Sequence, residues 1–137
     1  MGNRRRMAVC LQNQARAKIS MGDLRSVPAL AIESMEIATE NNFRMLLSNF
    51  CDIMVGLEAG RGNWDLAARF YGVTEARNKE LNYRREPADE AYIEPIVQQI
   101  RENLDSETFQ AAYDAGQSLN EDDPLAEIGK LLASEPS

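Results

Sequence analysis

Apolar side chains recur at three- and four-residue steps along nearly the whole chain, which is the spacing of a buried face on an α-helix. Met7, Leu11, Ala15 and Ile19 mark the first stripe, widened by Ala8 and Cys10. Met21-Gly22-Asp23 ends it: glycine takes the left-handed backbone of a helix end, and Asp23 is suited to cap the next helix. A second helix is predicted from about Leu24 to Glu40, with Val27, Leu30, Ala31, Ser34 and Ala38 inward. Pro28 falls in its first turn, where a missing N–H does no harm. After a break at Asn41-Asn42, a third stripe carries Phe43, Leu46, Leu47, Phe50, Met54 and Leu57 and runs into Gly60-Arg61-Gly62-Asn63. The fourth helix opens near Trp64 and turns Trp64, Ala67, Ala68, Tyr71 and Leu81 inward. No stretch alternates with period two long enough to argue a strand.

These four helices read as two copies of one hairpin. Gly22-Asp23-Leu24 is matched in kind by Gly62-Asn63-Trp64, each between an apolar helix and an alanine-rich one. Helical hairpins cannot bury their faces alone and therefore stack. The first spans about 5–41 and the second 42–82, and with the first helix opening at the N-terminus the array reads as the end of a longer solenoid. At Pro87 the texture changes. Pro87-Ala88-Asp89-Glu90 has the proline and acids of a helix start. Ile93, Ile96, Val97, Ile100 and Leu104 come next as one stripe, with Pro95 on the opposite face predicting a kink or a later start. Asp105-Ser106 caps a shorter helix with Phe109, Ala112, Tyr113 and Gly116, and Asp123-Pro124 opens a last one with Leu125, Ile128, Leu131 and Leu132. Residues 87–134 are thus expected to form a helical cap, giving about seven helices in an all-α chain.

Composition narrows the function. The 137 residues carry a net charge of −7, no histidine and 7% aromatics. The charge argues against nucleic acid, and the missing histidine removes the commonest general base and metal ligand. The charge is uneven, near +3 over residues 1–86 and −10 beyond. Cys10 and Cys51 make no disulfide framework and have no partner at metal-ligand spacing; they read as buried free thiols on neighbouring helices. The segment from Met1 to Met21 is too polar for a signal peptide and no run reaches the ~18 apolar residues of a membrane span, so the cytoplasm is expected and a membrane is not.

One segment is more specific. Trp64-Asp65-Leu66-Ala67-Ala68-Arg69-Phe70-Tyr71-Gly72-Val73-Thr74-Glu75-Ala76-Arg77 is similar to the "A-A-R-L-x-G-A-A-E-A-L-R" stretch in the helical C-terminal arrays of bacterial signalling ATPases, LuxR-type transcriptional regulators and class III adenylate cyclases. Leu104, Phe109, Tyr113, Gly116 and Leu119 stand where that family has "L-G-x-x-x-F-x-x-x-W-x-x-G-x-x-L", with Tyr113 for the tryptophan. The paired turns resemble tetratricopeptide repeats in their longer form. The resemblance implies a right-handed solenoid fragment with a C-terminal cap, serving as a non-enzymatic interaction and regulatory module. The family's ATPase, cyclase and DNA-binding parts are other domains, and no cofactor or metal is expected here.

In tetratricopeptide arrays the first helix of each hairpin lines the concave surface. That register places Val9, Gln12, Arg16 and Ile19, then Asn49, Asp52 and Gly56, on it; Gln12, Arg16, Asn49 and Asp52 can hydrogen-bond a peptide or small ligand. Arg77, Lys79, Arg84 and Arg85 beside Tyr83 form a basic cluster for an anion or acidic partner, so Arg77, Arg84 and Arg85 join the candidate site. The expected partner is a protein or peptide, or upstream domains of the same polypeptide. Two alternatives stand beside it: a small-molecule sensor with a pocket near Tyr71, Arg77 and Tyr83, and a structural repeat that forms homo-oligomers through the open solenoid end.

Overall fold

The computed structural model describes residues 2–118, and these residues are all-helical: α1 (Gly2–Ser20), α2 (Val27–Glu40), α3 (Arg44–Gly60), α4 (Trp64–Glu80), α5 (Pro87–Asn103) and α6 (Ser106–Gln117). The last helix expected after Asp123-Pro124, and Leu119 of the tail pattern, lie outside them.

Four of the connections close in the same way. Gly22, Asn42, Gly62 and Asn82 have φ of 78°, 56°, 80° and 52°, each just past a helix end. The amide after each donates to the carbonyl five residues back: Asp23 to Lys18, Phe43 to Ala38, Asn63 to Glu58 and Tyr83 to Asn78, at 2.8–2.9 Å. This is the Schellman closure, which satisfies carbonyls a helix end otherwise strands. The four positions are evenly spaced, so the asparagines halve the interval between the two glycines. Asparagine is the residue next best able to adopt this backbone.

Inside that frame one boundary differs from expectation. The second helix starts at Val27, not Leu24, and Ser26 rather than Asp23 is its cap residue, with no side-chain cap bond. A helix from Leu24 would oppose Pro28 to the Leu24 carbonyl with no N–H to offer, so the chain turns first. The Leu24 side chain instead closes over Gly60. Asp23 pairs with Lys18 at the surface. The fifth helix begins at Pro87 and runs through Pro95, which faces solvent. Asp105 does cap α6: its Oδ1 accepts the Thr108 amide at 2.7 Å, and that bond holds its carboxyl below the ordinary range.

The core centres on α3, whose residues from Phe50 to Ala59 are all buried. It packs on α1, α2, α4 and α5. Cys51 is buried within it, but Cys10 is exposed on α1, so only one of the two thiols is a core residue. The outward face of α1 explains the difference. Forty residues on, its exposed Arg6, Cys10, Asn13, Gln14 and Ala17 are matched by the buried Leu46, Phe50, Ile53, Met54 and Leu57 of α3. In α1 that register carries Arg6, Asn13 and Gln14, whereas in α3 it is apolar throughout.

The largest helix contact joins α4 and α6, whereas α5 and α6 touch little. Two glycines permit it: a Cβ on Gly72 would collide with the Tyr113 carbonyl oxygen, and one on Gly116 with that of Arg69. Because backbone obstructs rather than a mobile side chain, Gly72→Ala and Gly116→Ala should each cost about 3 kcal/mol, the upper end of overpacking penalties. Gly22→Ala, with nothing within 4 Å of the new Cβ, should lose only the left-handed backbone preference, about 1–2 kcal/mol. Urea denaturation of the three variants checks this order; equal losses would contradict the close approach.

Candidate functional site

Polar side chains collect where α1, α3 and the start of α5 meet. Asp52 lies in the all-buried stretch of α3 and is itself 2% exposed, so its carboxylate needs partners inside the protein. Arg85, in the loop between α4 and α5, supplies a side-on fork: Nε donates to Oδ2 at 2.8 Å and Nη2 to Oδ1 at 3.0 Å. Its Nη1 donates to Glu75 Oε2 at 2.9 Å, and its guanidinium stands 5.9 Å from the Tyr71 ring centre. The Thr74 hydroxyl reaches Asp52 Oδ1 at 2.8 Å and the Ser48 carbonyl at 3.2 Å. Burial alone would weaken the charge on Arg85, but the hydrogen bonds and charges of Asp52 and Glu75 outweigh it and push its pKa further up.

A second group lies one turn along α5. Arg16 pairs with Asp89 through Nη1 and sits 5.2 Å from the centre of the Tyr92 ring. The Tyr92 ring in turn lies over Gly56, which leaves room for it: a Cβ there would run into the hydroxyl. Three donors here are buried without a partner, namely Arg16 Nε, Arg16 Nη2 and Tyr92 Oη. Beside this seat a groove of about 420 Å³ opens between α1, α3 and α5, with Ile19, Ala59 and Ile96 on its walls and Ser20 and Gln99 among its polar residues.

The expected site residues are therefore only partly brought together. Gln12 is 3% exposed and donates to the Leu46 carbonyl at 2.8 Å, bonding its own neighbouring helix rather than facing a ligand. Arg16, Asp52 and Arg85 converge on the start of α5, with each charge answered within the chain. Asn49 and Arg77 are half-buried on α3 and α4. Arg84 and Lys79 are exposed while Arg85 turns inward, so the basic cluster does not present one surface. Sequence reasoning passed over Thr74, Glu75, Asp89 and Tyr92. The available signal was Thr74 one helical turn beyond inward Tyr71, and an acid and an aromatic at helical spacing at the start of α5.

Among the described residues no three acidic or cysteine side chains are grouped as metal ligands, and no helix is long and apolar enough to cross a membrane. Comparison with protein-family models, with curated proteins and with solved structures finds no match.

The buried groups set two expectations. Arg85→Met strands the Asp52 carboxylate and should cost about 3–5 kcal/mol, whereas Asp52→Leu/Arg85→Met together should cost less than Arg85→Met alone. Chemical denaturation of the singles and the double measures this, and simple additivity would contradict the coupling. Burial also pushes the Cys51 thiol up to about 12, and burial with the nearby Glu75 charge raises the Tyr71 phenol to about 12. The unfolded chain releases these protons nearer about 8.5 and 10. Above about pH 9 the folded state therefore holds more protons than the unfolded one, and stability falls as pH rises, for Cys51 by up to ~1.4 kcal/mol per unit. Denaturation between pH 8 and 11 should show this slope, and Cys51→Ala should make it shallower.

Proposed function

We propose that this chain is a non-enzymatic protein-interaction module of tetratricopeptide-like hairpins, the C-terminal part of a larger bacterial signalling or transcription-regulatory protein, located in the cytoplasm. The inner face of α1 and α3 is its binding surface. The observation that carries the reading is the groove of about 420 Å³ on that face, apolar on its walls and polar at Ser20 and Gln99. A few apolar anchors and one or two hydrogen bonds are what peptide recognition uses. The recurring turns support the repeat assignment, and the Trp64–Arg77 segment supports the family. The outer face of α1, polar where α3 is apolar, favours the inner face over stacking through the open end.

A second reading has its own observation. A cavity of about 250 Å³ lies between α4 and α5, where a small-molecule sensor would have its pocket. Tyr71 lines it together with Ile93, Val97, Glu90, Glu94 and Arg101; Arg77 and Tyr83 do not.

Peptides selected from a displayed library against the full chain separate the two. Under the first reading they bind the wild type and lose on the order of tenfold or more in affinity to Ser20→Trp, whose indole fills the groove from an exposed position at the end of α1. Peptides indifferent to that change would remove the groove as the surface. A metabolite that raises the melting temperature, and does so less in Tyr71→Ala, would favour the sensor.

A further inference from the structure

We propose that α5 is a displaceable strap over the α1–α3 face, seated there by Asp89 and Tyr92, and that the partner is an acidic amphipathic helix bringing a carboxylate, an aromatic and an aliphatic side chain in the same register. The proposal rests on the reading of that face as the interaction surface and says what occupies it when no partner is bound; Ile96 and Gln99 leave the groove with α5, and Ile19, Ser20 and Ala59 remain for the partner.

Two features of α5 set it apart from the other helices. It is joined to the rest by extended backbone at both ends, with φ, ψ of −71°, 158° at Glu86 and −128°, 146° at Leu104. Its neighbours in sequence are fixed without it: Arg85 is clamped to Asp52 just ahead of it, and α6 is held to α4 by the backbone contacts of Gly72 and Gly116. Its buried side chains, Ile93, Val97 and Ile100, enter the main core against α3 and α4. Helix α5 can therefore leave its seat while the elements on either side stay in place, a sub-global opening that uncovers those three side chains.

The seat also fits α5 imperfectly. Arg16 gives Nη1 to Asp89, but its side-on pair, Nε and Nη2, has no acceptor, although Arg85 uses the same pair to hold Asp52. The Tyr92 hydroxyl is buried against Gly56 with nothing to bond. The groove running beside Tyr92 and Ile96 shows that α5 leaves part of the face uncovered. A partner carboxylate that took the Arg16 fork side-on would satisfy two donors that Asp89 leaves idle, and charge complementarity therefore selects an acid. Asp89, Tyr92, Ile93 and Ile96 give the required order: acid at i, aromatic at i+3, aliphatic at i+4 and i+7.

The probe is a fluorescein-labelled peptide of residues 87–103, titrated against the full chain and followed by anisotropy. A strap that occludes the seat lowers apparent affinity by the fraction of time the seat is closed. The peptide should bind the wild type weakly and Asp89→Asn, checked for its fold by circular dichroism, on the order of tenfold more tightly. Tyr92→Phe removes the stranded hydroxyl, seats α5 better and should weaken peptide binding, which gives a second variant of opposite sign. A peptide carrying Tyr92→Ala should not bind. Equal affinity for the wild type and both variants would overturn the strap. If selected peptides still compete with Ser20→Trp sensitivity in that case, the α1–α3 surface stands and only the strap falls.

Discussion

A buried carboxylate on the central helix constrains the rest of this molecule. Asp52 sits in the unbroken buried run from Phe50 to Ala59, and an ionised group there is tolerable only with full partners. Thr74 meets it from α4, and Arg85 meets it from the loop, already past the end of the second hairpin. Satisfying one side chain thus aligns α3 with α4 and pins the chain two residues before α5 begins. From there Asp89 reaches Arg16 on α1 and Tyr92 reaches Gly56 on α3. The clamp decides where α5 lies, and α5 decides how much of the α1–α3 face is open.

The repeat and the departure from it are both built from small residues. Gly22, Asn42, Gly62 and Asn82 close four connections alike, which makes the first two hairpins similar. Gly72 then breaks the likeness: its counterpart one repeat earlier is Ile32, a partly buried core side chain. Replacing that bulk with hydrogen opens α4 to the backbone of α6, and Gly116 reciprocates. The third pair of helices consequently does not copy the first two. Helix α6 attaches to α4 rather than to the α5 that precedes it.

Much of this was legible in the sequence because helical periodicity is local. The stripes beginning at Phe43 and Ile93 marked buried faces, and glycine or proline marked most ends, whereas the first stripe is buried only at Ala8 and Ala15, with Met7 and Cys10 exposed. Where boundaries slipped, the cause was also local but competing, as with Pro28 forbidding a helix from Leu24. The finer recurrence of the turns was missed because it alternates glycine with asparagine, two residues sharing a backbone conformation and little else. The site was legible in composition and not in pairing. Asp52 and Arg85 were both singled out, but nothing along the chain shows that residues so far apart in sequence meet. Polar residues on an inward register were read as facing a ligand, when Gln12 and Asp52 were facing the protein itself.

The inner face carries polar side chains of two kinds. A polar side chain between apolar neighbours is compatible with a binding surface or with an internal clamp, and the two differ in whether every donor is used. Gln12 and Asp52 are engaged within the chain and belong to the framework. Arg16 and Tyr92 are not fully so, since between them they bury three donors without acceptors. An unpaired buried donor costs more than a missing weak contact, because its hydration is lost with nothing in return. Part of the imbalance therefore falls where α5 meets α1 and α3, beside the open groove, and part on α3 and α4, where Ser48 Oγ and Asn78 Oδ1 are buried without a hydrogen-bond partner. Any segment that competes for this face gains most by supplying acceptors to Arg16, while the Asp52–Arg85 clamp stays closed and keeps the framework intact.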